Sequence, residues 1–145
     1  MEEYAKALGD REHEQEQWVR PHLLMVSGDP TLLNLVRVLL DKAHYNVTTT
    51  NAVPLTFALI VAARPALLIV DLAITETSGW DLLVRLHTKA TTAAIPVIIT
   101  ASDTRLLAHV ARYPYLYGGP DRLVLPFDVD TLLDAIHALI GVLST

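Results

Sequence analysis

The run Ala66-Leu67-Leu68-Ile69-Val70 contains no polar residue, and it ends on a single carboxylate, Asp71. A strand that is apolar at every position has no face to offer to water. It must be covered on both sides, and the architecture that does this is a parallel sheet with helices on its two faces. The terminal Asp is equally restrictive, because the carboxyl ends of strands are where open α/β sheets gather their functional groups.

The rest of the chain fits that scheme. His22 to Ser27 is a short apolar strand. Asp29-Pro30 then opens a helix, with Asp suited to the N-cap and Pro to the first helical position. Leu32, Leu33, Val36, Leu39, Leu40 and Ala43 recur at the spacing of one buried helical face. Tyr45 to Thr50 is rich in β-formers yet polar enough for a sheet edge. Pro54 begins a second helix running to about Ala63. After Ala66 to Asp71, Ser78-Gly79-Trp80-Asp81 reads as a capping box opening a third helix. Ile95 to Thr100 is another apolar strand, and Ser102 or Asp103 caps a fourth helix to about Tyr113. Residues 114–121 read as an extended loop. Arg122 to Leu125 is the last strand, and Asp128 caps a final helix with Leu132, Ile136, Leu139, Ile140 and Leu143 on one face. Five strand–helix units in succession predict an α/β domain with a parallel sheet and right-handed crossovers.

Composition narrows the function. With 145 residues the chain suits one domain with a proper core. Its 52% hydrophobic content is accounted for by doubly covered strands, since the most apolar region, Val53 to Ile74, is broken by Arg64, Pro65 and Asp71 and does not reach the roughly 20 uninterrupted residues of a membrane span. The acidic, polar N-terminus is not a secretion signal, so Asn46-Val47-Thr48 is read as a chance match to a glycosylation acceptor. The absence of cysteine excludes disulfides and thiolate metal sites and fits a reducing cytoplasm. A net charge of −5 with no Lys/Arg cluster argues against nucleic-acid binding. The six His show no metal-ligand spacing, and neither a Ser/His/Asp set nor a carboxylate pair supports an enzyme.

Residues 1–20 form a charged N-terminal extension, distinct from the domain at 21–145. They carry six acids (Glu2, Glu3, Asp10, Glu12, Glu14, Glu16) against Lys6, Arg11 and Arg20. The extension reads as a solvated charged segment with no role of its own or, alternatively, as one whose Trp18 and Val19 dock on a partner or on the domain itself.

At these positions the chain resembles a known family. The order of blocks, Asp71 closing the third strand, Gly79-Trp80 eight residues on, Thr100-Ala101 after the fourth strand and Pro126-Phe127 after the fifth are similar to the receiver domain of two-component response regulators, over roughly residues 21–143. The resemblance implies a flavodoxin-like (CheY-like) fold: a five-stranded parallel sheet of order 2-1-3-4-5 with helices on both faces. It implies that Asp71 is the phosphoacceptor position. In such domains a magnesium ion bound by two acids at the end of the first strand, by the acceptor and by a backbone carbonyl two residues later assists phosphoryl transfer.

Carried over residue by residue, only part of that set remains. Asp71 is kept, Ala73 supplies the carbonyl position and Thr100 the hydroxyl. The acid pair falls on Ser27 and Gly28, the Lys on Leu125, and the aromatic switch position on Arg122. The Pro usual four residues after the acceptor is Thr75. Two carboxylates and one ammonium are gone together, so no orphaned charge is left from the network, and exchanging paired charges for neutral groups can be neutral or stabilising. The site therefore reads as retired. The expectation for Asp71 is a carboxylate held by the hydroxyls of Ser27 and Thr100 and by loop amides, with solvent enough to remain ionised. Asp29, one position beyond the acid pair, makes with Asp71 at best a weak cation site. Its competing role as N-cap uses the same carboxylate and is favoured.

The leading expectation is thus an atypical receiver-like signalling module with no cofactor. It would act in the cytoplasm by protein–protein contact with a histidine kinase, another regulator or a second copy of itself as a homodimer. The family's output face implies contact residues Leu106, Leu107 and Leu133 beside Tyr113, Tyr115 and Tyr117. One alternative is a conventional regulator phosphorylated on Asp71 by a histidine kinase with Mg²⁺. Another is a flavodoxin-like small-molecule or nucleotide binder, in which the turn Ser27 to Thr31 holds an anion at a helix N-terminus.

Overall fold

In the computed structural model, residues 20–51, 53–72 and 76–141 are described. Five strands, β1 (His22–Val26), β2 (Asn46–Thr50), β3 (Leu67–Asp71), β4 (Val97–Ala101) and β5 (Asp121–Val124), alternate with helices α1 (Pro30–Lys42), α2 (Val53–Ala63), α3 (Glu76–Thr88), α4 (Thr104–Arg112), α5 (Pro114–Tyr117) and α6 (Val129–Ile140). All strand pairs are parallel and the order is β2-β1-β3-β4-β5, the flavodoxin-like arrangement expected.

Strand alternation splits the core in two. Leu24, Val26, Leu68, Val70 and Ile99 point to one face, where they meet Ile60 of α2, Leu82, Leu83 and Leu86 of α3, and Leu107 and Val110 of α4. Leu23, Met25, Leu67, Ile69 and Ile98 point to the other, against Leu33, Val36 and Leu40 of α1 and Leu132 and Ile136 of α6. Every residue of β3 is buried, as its unbroken apolar run requires. The polar strand β2 lies at the sheet edge, where Thr48 shares a 2.7 Å hydrogen bond with the Nε2 atom of His22.

Several boundaries differ from the sequence reading. Strand β4 starts at Val97 and not at Ile95, because Pro96 has no N–H for the ladder; its carbonyl instead accepts from the Leu68 amide. Helix α3 begins at Glu76, which places Ser78 inside it and not at its cap. An acidic residue at a helix start is favoured by the helix dipole, a signal that outweighs the Ser78-to-Asp81 spacing. The stretch 114–121 is not an extended loop: Pro114 at the first helical position seeds one turn, closed by Gly118 with φ 74° and by its amide on the Pro114 carbonyl at 2.8 Å. β5 accordingly begins at Asp121. Of the two cap candidates for α4, Asp103 is the one that caps, accepting from the Arg105 amide at 2.9 Å. Residues 1–19, with Trp18 and Val19, lie outside the described residues.

The acidic caps carry a pH dependence. Side-chain and amide bonds from Arg105 hold the Asp103 carboxyl below its usual range, and Thr131 does the same for Asp128 at the start of α6. A carboxyl lowered in the folded state contributes stability that is complete above its unfolded pKa and is lost as pH falls through its folded value. The denaturation midpoint is therefore expected to drop below about pH 4, and Asp128→Asn is expected to flatten that acid limb. A different effect is expected at Tyr45. Its ring is fully buried and its hydroxyl has no hydrogen-bond partner among the described residues, and burial pushes the phenol pKa up. Removing an unsatisfied buried hydroxyl costs nothing, so Tyr45→Phe should raise the unfolding free energy by roughly 1 kcal/mol in urea melts.

Candidate functional site

The order β2-β1-β3-β4-β5 reverses between β1 and β3, and in open α/β sheets the crevice lies at that switch point, beyond the carboxyl ends of the strands. Ser27 follows β1 directly, Asp71 is the last residue of β3, and Thr100 on β4 is in register with Asp71. Three adjacent strands thus deliver one carboxyl and two hydroxyls to one place.

All three residues are fully buried. The Ser27 hydroxyl donates to Asp71 Oδ2 at 2.8 Å, and the Thr100 hydroxyl donates to Asp71 Oδ1 at 3.1 Å. The two hydroxyls expected to hold the carboxylate do so, but the expected solvent access is corrected: the exposure of Asp71 is 0%. Hydrogen bonding stands in for hydration, since each bond to a charged group contributes about 1.5–3 kcal/mol. Ser27 is committed on its acceptor side as well, because its oxygen takes the Asp29 amide at 3.0 Å.

Asp29 caps α1. Its Oδ1 accepts from the amides of Thr31 at 3.0 Å and Leu32 at 3.4 Å. This resolves its two candidate roles in favour of the cap. It also answers the anion-site alternative at Ser27 to Thr31, because the amides that would cradle a ligand anion already hold the chain's own carboxylate.

A hard dication such as magnesium needs several anionic or carbonyl oxygens. Gly28 has no side chain, the Ser27 hydroxyl is engaged at both ends, the Asp29 carboxylate is turned to the helix, and both oxygens of Asp71 accept from hydroxyls. The residues present do not fit the ion. The carbonyl position, Ala73, lies outside the described residues, as does Thr75. Among the described residues no group of three or more His, Asp or Glu side chains gathers at distances suited to a metal.

Leu125 follows β5, half-buried, with its amide on the Ala101 carbonyl at 2.9 Å, and the Leu125–Pro126 peptide is cis. Arg122 is exposed on β5. The structure brings together Ser27, Asp71 and Thr100, and leaves Arg122 in solvent. Of the expected contact residues, Leu107 is corrected: at 5% exposure it belongs to the core under β4 and offers nothing to a partner. Leu106 and Leu133 are half-buried, and Tyr115 stands 71% exposed.

The tyrosines belong to a ring cluster that the sequence reading missed. Trp80 of α3 meets His109 of α4 edge-on at 5.0 Å and Tyr117 at 5.4 Å, and His109 lies 4.9 Å from Tyr113. Burial, then the neighbouring Tyr113, Tyr115 and Asp81, push the Tyr117 phenol pKa up. The spacing of His109 and Tyr113, one helical turn apart, was the available signal.

The chain is similar over most of its described residues to proteins already known. The family model described as response regulator receiver domain matches residues 23–137. The DNA-binding dual master transcriptional regulator RpaA of Synechocystis sp. is 29% identical over 120 residues, 83% of this chain and 49% of that protein. Protein PilH of Pseudomonas aeruginosa is 27% identical over 119 residues, 82% of this chain and 97% of that protein. The chain spans about half the length of most of the curated relatives it matches. Among solved structures, the chemotaxis protein CheY4 of Vibrio cholerae superposes with a TM-score of 0.74 at 20% identity, over 83% of this chain and 99% of that one. The receiver domain of the sensor histidine kinase PA1611 of Pseudomonas aeruginosa, crystallised with magnesium in its active site cleft, gives 0.73 at 17% identity, over 85% and 99%. At those identities the two structures speak to the fold.

The Ser27 hydroxyl makes the site testable without any assumption about activity. Ser27→Ala leaves both Asp71 Oδ2 and the Asp29 amide without this partner. It should lower the unfolding free energy by about 1–3 kcal/mol in denaturant titrations, and it should couple non-additively with Asp71→Asn in a double-mutant cycle.

Proposed function

We propose, from the premise that this chain belongs to the response regulator receiver domain family of two-component signalling, that it is an atypical member which signals by binding a protein partner without magnesium-dependent phosphorylation of Asp71. The observation that carries this reading is the engagement of both Asp71 oxygens by the hydroxyls of Ser27 and Thr100, in a site where, among the described residues, the neighbouring Asp29 carboxylate is held by helix amides and Leu125 stands at the Lys position. Phosphoryl transfer to a carboxylate brings two anions together and needs cations to spread the developing charge. The two donors described on Asp71 are uncharged hydroxyls.

The reading includes a partner that is itself a protein, such as a kinase, another regulator or a second copy of the chain, and a cytoplasmic setting. It includes no enzymatic turnover by the chain. Among the described residues no helix is long and apolar enough to cross a membrane. A second reading, a conventional regulator phosphorylated on Asp71, is favoured by the presence of Asp71 and Thr100 in register and by relatives named as response regulators.

The two readings part on one measurement. The chain is incubated with acetyl phosphate and millimolar Mg²⁺ and its intact mass is read, with Asp71→Asn alongside. No added phosphoryl mass is expected. An adduct on the unmodified chain that disappears in Asp71→Asn overturns the proposal and establishes the conventional reading. A variant carrying Ser27→Asp, Gly28→Asp and Leu125→Lys serves as the positive control for the chemistry.

A further inference from the structure

Helix α4 differs from the other described helices in its charge. It carries Arg105, His109 and Arg112 and no acid, whereas α1 includes Asp41, α3 Glu76 and Asp81, and α6 Asp130 and Asp134; α2 and α5 bear no charge. The three basic residues recur four and three positions apart, opposite the buried Leu107 and Val110, so they form one outward stripe, and all three are exposed. Arg122 stands exposed on β5, which packs beside α4. Asp103 pairs with Arg105 at 3.0 Å. Among the described residues Arg112 and Arg122 have no carboxylate within ion-pair distance.

The complementary charge lies in the same chain. Residues 1–19 hold six of its sixteen acids and only two of its eleven bases. They join the domain at Arg20, just before β1. In a parallel sheet every strand starts at the same end, so the arm enters at the end where β5 also starts. Helix α4 runs back from the carboxyl end of β4, and it finishes with Arg112 and then Tyr113 to Tyr117 at that entry end. From β1 to β5 is three strand steps, about 15 Å, and 19 residues of chain reach about 60 Å when extended. The arm is long enough to cross to α4 and lie along it.

We propose that residues 1–19 dock across the α4–β5 face of their own domain, with the acids at 10–16 set against Arg105, Arg112 and Arg122. Trp18 then enters beside the exposed Tyr115. A partner that uses this face must displace the arm and must itself present acidic groups. The docking is independent of whether Asp71 accepts a phosphoryl group.

The chain has no cysteine, so one can be introduced alone. Full-length Glu14→Cys carrying a nitroxide spin label is examined by amide NMR. At low salt, signal loss is expected at the amides of Arg105 to Arg112 and at Arg122. It should fade as salt shortens the reach of the charges, and in Arg105→Glu with Arg112→Glu. Signal loss centred elsewhere, for instance on the uncharged helix α2, overturns the proposal, as does no loss at all or loss that persists in high salt. Labelled chain is also mixed with unlabelled, isotope-enriched chain. Loss at the same amides in that mixture, where the observed chain carries no label, makes the occupant a second copy and overturns the intramolecular assignment.

Discussion

A carboxyl group with no contact to solvent has to be satisfied by the protein, and among the described residues two hydroxyls share that burden at Asp71. Ser27 and Thr100 arrive from the strands on either side of Asp71, so the three residues tie the carboxyl ends of β1, β3 and β4 together at the point where the sheet order reverses. Burying a charge costs several kcal/mol unless it is hydrogen-bonded. The pair of donors therefore bears on how the strand ends sit as much as on what the site can do. One hydroxyl also takes the amide that leads into α1, which couples the first helix to the same small network.

That network is the basis of the proposal that a receiver domain can keep an Asp at the acceptor position without magnesium chemistry. A metal centre and a hydrogen-bonded carboxylate are competing solutions to one problem, the solvation of a buried anion. Where several carboxylates converge, mutual repulsion demands a cation. Where only one is present and two hydroxyls reach it, the demand is gone. Leu125 is compatible with this second solution, since a single carboxylate held by two hydroxyls carries less charge than the three acids an ammonium would balance.

Much of this was legible in the residues. The unbroken apolar run before Asp71 implied double coverage, and every residue of β3 is buried. Asp29-Pro30 and Asp128 announced their helices as caps do. What the residues did not reveal were features set by tertiary context. Pro114 gave no sign of whether it sat in a loop or began a turn of helix. Leu107 and Leu106 are adjacent and identical in type, and only helix rotation decides that one is core and the other half-exposed. The solvent access expected at Asp71 is missing, and the two hydroxyls described on it come from segments distant in sequence. His109 looked like a stray imidazole until α3 and α5 brought Trp80 and Tyr117 against it.

The position of Asp29 has a bearing on how related chains are read. Its carboxylate is turned away from the crevice and spent on the first amides of α1. An acid at that place serves the start of the helix before Pro30, a role separate from any metal chemistry next door. An acid count near the end of the first strand of this chain thus overstates its ion-binding capacity, because the two positions of the acid pair are held by Ser27 and Gly28.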